Sequence, residues 1–291
     1  MIDLIGVYLP VESHLVTAQG ELIRRVEAPT KEGKPLEVAY RLGFTTVRGS
    51  LPKFWKGNNI LPLTMEEQTE ALEFIARSLG PGFLKAQVGQ LEVGTTLAVK
   101  HKPPVYTLAW RSFQRYQWTC WRGGESVQLG NRSQAFLGYD KQLETGLRFP
   151  VPGFPHAQGL RLELRFRKGQ ALRRAVGRPV LVQDLGDKVL LEQLKEAWRS
   201  FYFSIPKSPR PLTNLAGVTP AEAKGAWARM GLDALGWDYV RALIKDAQQA
   251  GELDRTSSSR MRGTMRDLLA TAALLDRDPL IEELDEAVRS A

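Results

Sequence analysis

Leu160-Arg161-Leu162-Glu163-Leu164-Arg165-Phe166-Arg167 is the stretch on which the fold turns. Apolar and charged residues alternate in it with a period of two, the pleat period of a strand. Leu160, Leu162, Leu164 and Phe166 therefore go to one face, and Arg161, Glu163, Arg165 and Arg167 to the other. A strand of this kind needs a core on one side only, which predicts an antiparallel sheet with helices on one face and a polar face opposite. Two further segments repeat the pattern. In Leu91-Glu92-Val93-Gly94-Thr95-Thr96-Leu97-Ala98-Val99 the apolar set is Leu91, Val93, Leu97 and Val99, and Glu92 lies on the other face beside Gly94, Thr96 and Ala98. In Ala135-Phe136-Leu137-Gly138-Tyr139-Asp140-Lys141, the residues Tyr139 and Lys141 point the same way, with Gly138 leaving room beside them.

Around these three, extended segments are predicted over Asp3–Leu9, Val38–Val47 and Ser126–Leu129. Turn clusters separate them, at Gly57-Asn58-Asn59, Pro103-Pro104, Gly123-Gly124 and Gly130-Asn131. One helix interrupts the strands. Thr64 caps it, Glu67 completes the capping box, Ala71, Leu72, Ile75 and Leu79 form its stripe, and Gly80-Pro81 end it. The Gly- and Pro-rich stretch from Gly146 to Gly159 reads as a loop. From Asp187 the period changes to helical, with Leu190, Leu191, Leu194, Trp198 and Phe201 on one stripe and a proline-rich linker, Ile205–Leu212, after it. Thr219-Pro220-Ala221-Glu222 is a second capping box, and helices are predicted over Trp237–Ala250, Ser257–Leu275 and Pro279–Ser290. The expected fold class is α+β: a central antiparallel sheet with helices on one face over residues 1–184, followed by a smaller all-helical domain over residues 185–291.

Composition narrows the function. The net charge is +8, and residues 1–180 hold 25 Lys and Arg against 15 Asp and Glu, whereas residues 181–291 hold 15 against 17. A basic half joined to a mildly acidic one is the electrostatic footprint of a phosphate-binding module. No apolar run reaches the ~18–20 residues of a membrane span. Met1-Ile2-Asp3-Leu4-Ile5 does not read as a signal peptide, and the lone Cys120 fits a reducing compartment. The expected location is the cytoplasm of a bacterial host cell, with no membrane partner. The three histidines, His14, His101 and His156, are too scattered for a zinc site.

A sheet covered by helices on one side and open on the other would gather Glu92, Glu163, Tyr139 and Lys141 in one cleft. The chemistry of that set is coherent. A tyrosine oxygen can stay attached to a cut DNA strand, carboxylates can hold Mg²⁺ or Mn²⁺ against the scissile phosphate, and a lysine can lower the phenol pKa or neutralise the phosphate. Each residue also has a structural reading. Glu163 between two arginines is a cross-strand charge pair worth roughly 0.2–1 kcal/mol, and a strand tyrosine is a packing residue. Trp110, Arg111, Phe113, Arg115, Tyr116, Trp118, Trp121 and Arg122 interleave aromatics with arginines, which suits stacking on unpaired bases or, equally, aromatic packing between strands.

Gly130-Asn131-Arg132-Ser133 followed by Tyr139-Asp140-Lys141-Gln142-Leu143-Glu144 resembles the tyrosine motif of phage and plasmid rolling-circle replication initiators, the family that includes the filamentous-phage gene II product. Gly49-Ser50-Leu51-Pro52-Lys53-Phe54 with Gly57-Asn58-Asn59 resembles its early glycine-rich signature, Leu91–Thr96 its strand with an acidic metal ligand, and Leu160–Lys168, with Arg173-Arg174 after it, its charged strand. The resemblance spans about residues 40–185. It implies a sheet like that of nicking endonucleases over residues 1–184, a helical domain for DNA or partner binding over residues 185–291, and an enzyme, a metal-dependent tyrosine endonuclease and strand transferase. Tyr139 would be the covalent nucleophile, Lys141 its electrostatic helper and Glu92 and Glu163 the ligands of Mg²⁺ or Mn²⁺, with Glu144 closing the motif. Lys53, Lys56, Asn59, Arg111, Arg115, Arg132, Arg161, Arg165 and Arg167 are the candidate DNA contacts. The chain departs from better-known nicking enzymes in lacking a His-hydrophobic-His triplet and a second motif tyrosine. Expected partners are a single-stranded or hairpin origin, a host helicase and a second copy of the chain. Arg255, Arg260, Arg262 and Arg266 leave the helical tail open between duplex reading and protein contact. A non-catalytic DNA-binding regulator on the same fold, or a conjugative relaxase, are the alternatives.

Overall fold

The structure, a computed structural model, describes residues 2–10, 22–41, 44–121, 125–207, 228, 237–271 and 279–291. Among them, nine strands form one antiparallel sheet: β1 Ile2–Pro10, β2 Leu22–Val26, β3 Leu36–Arg41, β4 Phe44–Ser50, β5 Gln87–Ala98, β6 Gln117–Trp121, β7 Ser126–Gly130, β8 Gln134–Asp140 and β9 Gly159–Phe166. Their order is β2-β3-β4-β1-β5-β9-β8-β7-β6. The helices of this part are α1 Leu51–Lys56, α2 Met65–Leu79, α3 Pro104–Thr107, α4 Lys141–Thr145, α5 Gly169–Val176 and α6 Lys188–Ser204. The fold is α+β with a helical C-terminal region, α7 Trp237–Gln249, α8 Arg255–Thr271 and α9 Pro279–Ser290.

The alternation in β9 does what its period requires. Leu160, Leu162, Leu164 and Phe166 are buried with Leu91, Val93 and Leu97 of β5 on the face where α5 and α6 pack. The helical stripe of α6 buries Leu190, Leu194, Trp198 and Phe201. Trp198 donates its indole N–H to Leu162 O at 3.4 Å, and Phe201 stacks on Phe136 of β8 with centroids 5.2 Å apart. Each fully buried side chain of this size contributes about 1.5–3 kcal/mol, so this layer fixes which face of β9 is left for polar residues. α2 runs as its capping box predicts: Glu67 N donates to Thr64 Oγ1 at 3.2 Å and Thr64 N to Glu67 Oε2 at 2.8 Å. Lys56 pairs with Glu67 at 2.6 Å, tying α1 to α2.

Three expectations change. Val38–Val47 is a hairpin of β3 and β4 rather than one strand. The strand β2, too short at five residues to show a period, and the short helix α1 were not anticipated, and β6 falls within the aromatic–arginine run that was open between base stacking and packing between strands. The boundary expected between residues 184 and 185 lies elsewhere, because the apolar stripe of α6 belongs to the sheet's own core. One compact unit is Met1–Lys207 together with Glu283–Ala291, and the other is Ser208–Glu282. The returning segment is held by Asp285, which accepts from Tyr202 Oη at 2.6 Å and lies 3.4 Å from Lys207 Nζ. Glu283 accepts from Lys100 N at 2.8 Å, and Leu284 and Val288 are buried.

In the second unit, Asp254 accepts from Ser257 N at 2.7 Å at the start of α8, and Arg262 donates to Gln248 Oε1 at 2.8 Å, joining α8 to α7. Thr219-Pro220-Ala221-Glu222, Gly123-Gly124, Arg122, His14 and the linker beyond Lys207 lie outside the described residues, as does the side chain of Arg266. Among the described residues no helix is long and apolar enough to cross a membrane.

Candidate active site

Strand register decides which polar residues meet. Three rows run across β5, β9, β8, β7 and β6: Thr96–Arg161–Tyr139–Ser126–Trp121, Gly94–Glu163–Leu137–Gln128–Thr119 and Glu92–Arg165–Ala135–Gly130–Gln117. Glu92, Glu163 and Tyr139 thus fall on one face of adjacent strands. Lys141 joins them because β8 ends at Asp140, whose carboxylate caps α4 by accepting from Gln142 N at 2.9 Å and Leu143 N at 3.1 Å. That cap makes Lys141 the first helical residue and brings its Nζ to 5.6 Å from the Tyr139 ring centre. Gly138 does not make this room. A Cβ there would lie 2.6 Å from Thr107 and 2.7 Å from Trp110, on the helix-covered face.

The centre of the face is closed rather than open, with Arg161 2%, Glu163 1% and Lys141 0% exposed. The Tyr139 hydroxyl donates to Glu163 Oε1 at 2.7 Å. The same carboxylate accepts from Arg161 Nε at 3.1 Å and from Arg165 Nη2 at 2.8 Å. Arg161 continues to Asp3 of β1, Nη2 to Oδ2, at 2.7 Å. Asp3 also accepts from Asn59 Nδ2 at 2.7 Å and from Ser50 Oγ at 2.6 Å. Asn59 accepts from Lys141 Nζ at 2.6 Å, and Lys141 pairs with Glu144 at 2.7 Å, which pairs in turn with Lys53 at 3.0 Å. Asp3 was missed by sequence reasoning. Its one signal is a carboxylate inside an otherwise apolar strand, Ile2-Asp3-Leu4-Ile5.

The electrostatics follow from burial and neighbours. Burial, then the Glu163 charge, raise the Tyr139 phenol well above its ordinary value. Burial works against ionised Glu163, but Arg161 and Arg165 outweigh it and hold that carboxyl below the usual range. Glu92 is the opposite case: burial, with Glu163 and Asp3 adding to it, pushes it up to about 7 against the pull of Arg165. Burial lowers Lys141. It acts against ionised Glu144 too, where the Lys141 and Lys53 ammonium groups prevail and keep the carboxyl low.

The expected metal ligands, Glu92 and Glu163, flank one guanidinium. Arg165 lies 3.0 Å from Glu92 through Nε and 2.8 Å from Glu163 through Nη2. Among the described residues no three His, Cys, Asp or Glu side chains are grouped to hold a metal ion. Such an ion needs several oxygen ligands, and one carboxylate here is saturated by two arginines and a phenol. As arranged, the residues do not fit Mg²⁺ or Mn²⁺.

Beside the closed centre, a cavity of about 470 Å³ is lined by Tyr139, Trp121 and Ser126, with the carboxylates of Glu125, Asp140 and Glu144 and one cationic side chain, Arg165. The expected DNA contacts divide. Arg165 faces this cavity. Asn59 belongs to the buried network and Arg161 is locked within it, while Lys53 joins its half-buried end through Glu144. Lys56 is paired to Glu67. Arg111 donates to the carbonyls of Leu108 at 2.8 Å and Trp110 at 3.1 Å. Arg167 donates to Asn131 O at 3.0 Å and Gln128 Oε1 at 2.8 Å, while Arg115 and Arg132 line a separate cavity. Of the aromatic run, Trp110 and Tyr116 are core residues and Phe113 packs on Tyr116 and Phe201, whereas Trp118 and Trp121 are 36% and 44% exposed. Comparison with protein-family models gives no match for this chain, and comparison with curated proteins gives none either.

Proposed function

We propose that this protein nicks and rejoins one strand of DNA through a covalent link between Tyr139 and a 5′ phosphate, the reaction of the rolling-circle initiators it resembles. The observation that carries the reading is the Tyr139 hydroxyl donating to Glu163 at 2.7 Å at the wall of a cavity shared with Arg165. A phenol held this far above its ordinary pKa is not ionised before reaction, so its proton must leave as the oxygen attacks. Glu163 is the acceptor within reach.

Arg165 controls how good an acceptor Glu163 is. Its side chain is 32% exposed, and a phosphate entering the cavity offers it a second anion. As the guanidinium turns toward the phosphate, Glu163 loses one of the two charges that keep it acidic and becomes a better base. The Tyr139 Oη–P bond then forms, the P–O3′ bond breaks, and the 3′ oxygen takes a proton from solvent. Rejoining runs the same steps backwards. Positive charge at the phosphate comes from Arg165, and no step is routed through a metal.

A second reading has its own observation in its favour. The charges at the centre of the polar face neutralise one another within the chain, which is also what a structural network in a DNA-binding regulator would look like. The separating experiment incubates end-labelled single-stranded and hairpin DNA with the protein, with EDTA and with added Mg²⁺ or Mn²⁺. A denaturant-resistant protein–DNA adduct is expected from the parent and none from Tyr139→Phe. An adduct that persists in Tyr139→Phe removes the nucleophile assignment, and DNA binding with no adduct under any condition favours the regulator.

A further inference from the structure

The opposite face of the sheet carries a second cavity, and this one is basic. It has a volume of about 610 Å³, and Arg115, Arg132 and Arg174 stand around it with Asn131, Ser133 and Ser200. No acidic side chain lines it, and among the described residues none of the three arginines makes an ion pair. Arg132 and Arg174 are exposed. Leu164 and Phe166 form part of the lining, and both belong to the apolar set of β9. The cavity therefore opens on the side away from Glu163 and Tyr139. Three guanidinium groups without carboxylate partners are suited to phosphate oxygens, which accept from them in pairs.

The sheet ends at the edge strand β6, the last in the strand order, where its two faces meet. Trp121 and Trp118 are an odd number of residues apart and so project to opposite faces. Trp121 shares its row with Tyr139 and lines the Tyr139 cavity. Trp118 pairs with Leu129, which pairs with Phe136 and then Leu164, a lining residue of the second cavity. Both tryptophans are more than a third exposed, and exposed aromatics are platforms for unpaired bases, worth ~1–3 kcal/mol per base.

We infer that one single-stranded DNA segment passes around the β6 edge, with bases on Trp121 and Trp118 and backbone phosphates in the Arg115–Arg132–Arg174 cavity. The inference rests on the proposed DNA substrate but not on the nicking chemistry. It makes this cavity the holding site for the strand that flanks the one at Tyr139.

The test measures binding of a labelled oligothymidylate, long enough to reach both faces, against salt concentration for the full chain. The parent is compared with Arg132→Glu/Arg174→Glu and with the charge-matched control Arg77→Glu/Lys188→Glu, whose four positions are all exposed so that folding is unaffected, as circular dichroism would check. Single strands contribute a slope of about −0.7 per phosphate neutralised, so the cavity variant should flatten the log–log slope by roughly 1.4 while the control keeps the parent slope. Equal slopes in parent and cavity variant, or an equal drop in both variants, overturns the inference. Thymidine monophosphate is the second probe. Saturable competition by the mononucleotide as strong as that by the oligomer would make the cavity a free-nucleotide site and overturn the strand path. A slope change in a protein that forms no adduct removes the nicking proposal alone, and absence of any single-strand binding removes both.

Discussion

At the level of single residues, Glu92 is the group whose protonation matters near neutrality. Its folded value of about 7 lies above the ordinary glutamate value of 4.5. Between these limits the folded chain keeps a proton that the unfolded chain has lost, so the Glu92 contribution to stability falls as pH rises through that window. Glu92→Gln has no such proton to lose. Its stability relative to the parent should therefore improve from pH 4.5 to about 7, by at most about 3.5 kcal/mol at ~1.4 kcal/mol per pH unit. Denaturant melts of both proteins across that range check it, and a parent–variant difference that does not change with pH contradicts it. Glu163, held low, loses stability only as the solution becomes more acidic than its unfolded value, below the window compared. The two carboxylates look alike in the sequence, one on each of two neighbouring strands. What separates them is that Glu163 has Arg161, Arg165 and the Tyr139 hydroxyl as partners, whereas Glu92 has Arg165 at an angle that leaves Arg165 Nε without a hydrogen bond.

At the level of elements, the polar face depends on the pairing of β5 with β9. Gly94 faces Glu163 across that pair, and a Cβ there would lie 2.6 Å from Leu162 O and 2.7 Å from Glu163 Cγ. Backbone cannot yield as a side-chain tip can, so Gly94→Ala should cost about 1–3 kcal/mol and displace Glu163 from the Tyr139 hydroxyl. The expected readout is a lower denaturation midpoint together with a reduced rate of adduct formation; an unchanged midpoint would show that β5 can shift freely. Much of this element was legible beforehand. The alternation in β5, β8 and β9 placed Glu92, Tyr139 and Glu163 on one face, and the Thr64 capping box placed α2. The closing of that face was not legible, because it depends on Asp3 and Asn59 arriving from β1 and from the turn after α1. The β1–β5 register shifts between Ile2 and Ile5, so period counting in β1 alone could not align Asp3 with Arg161. Nor could it show that Arg165 would stand between the two glutamates.

At the level of the whole molecule, the first unit is made from two separated lengths of chain, Met1–Lys207 and Glu283–Ala291. Asp285 joins them, accepting from Tyr202 Oη and balancing Lys207. Burial, then the hydrogen bond to Asp285, raise the Tyr202 phenol, so without that acceptor a buried hydroxyl and a partly buried ammonium lose their partner. Asp285→Ala should therefore destabilise the first unit by about 1–3 kcal/mol, seen as earlier loss of protection at α6 in hydrogen exchange. Protection of α6 equal to the parent's would mean that the returning segment is not needed there. Helical periodicity alone assigned α6 and α9 to a single C-terminal domain, since it reports that a helix has an apolar stripe but not which surface the stripe meets.

That returning segment also has a consequence for biosynthesis. A ribosome adds about 5–20 residues per second, and the sheet and α6 emerge before residues 208–282 are made. The partner of Tyr202 and Lys207 comes only with the stretch from Glu283. The nascent sheet unit therefore waits several seconds before Asp285 reaches Tyr202 and Lys207, and a chain that stalls in the intervening stretch leaves those two side chains without their acidic partner.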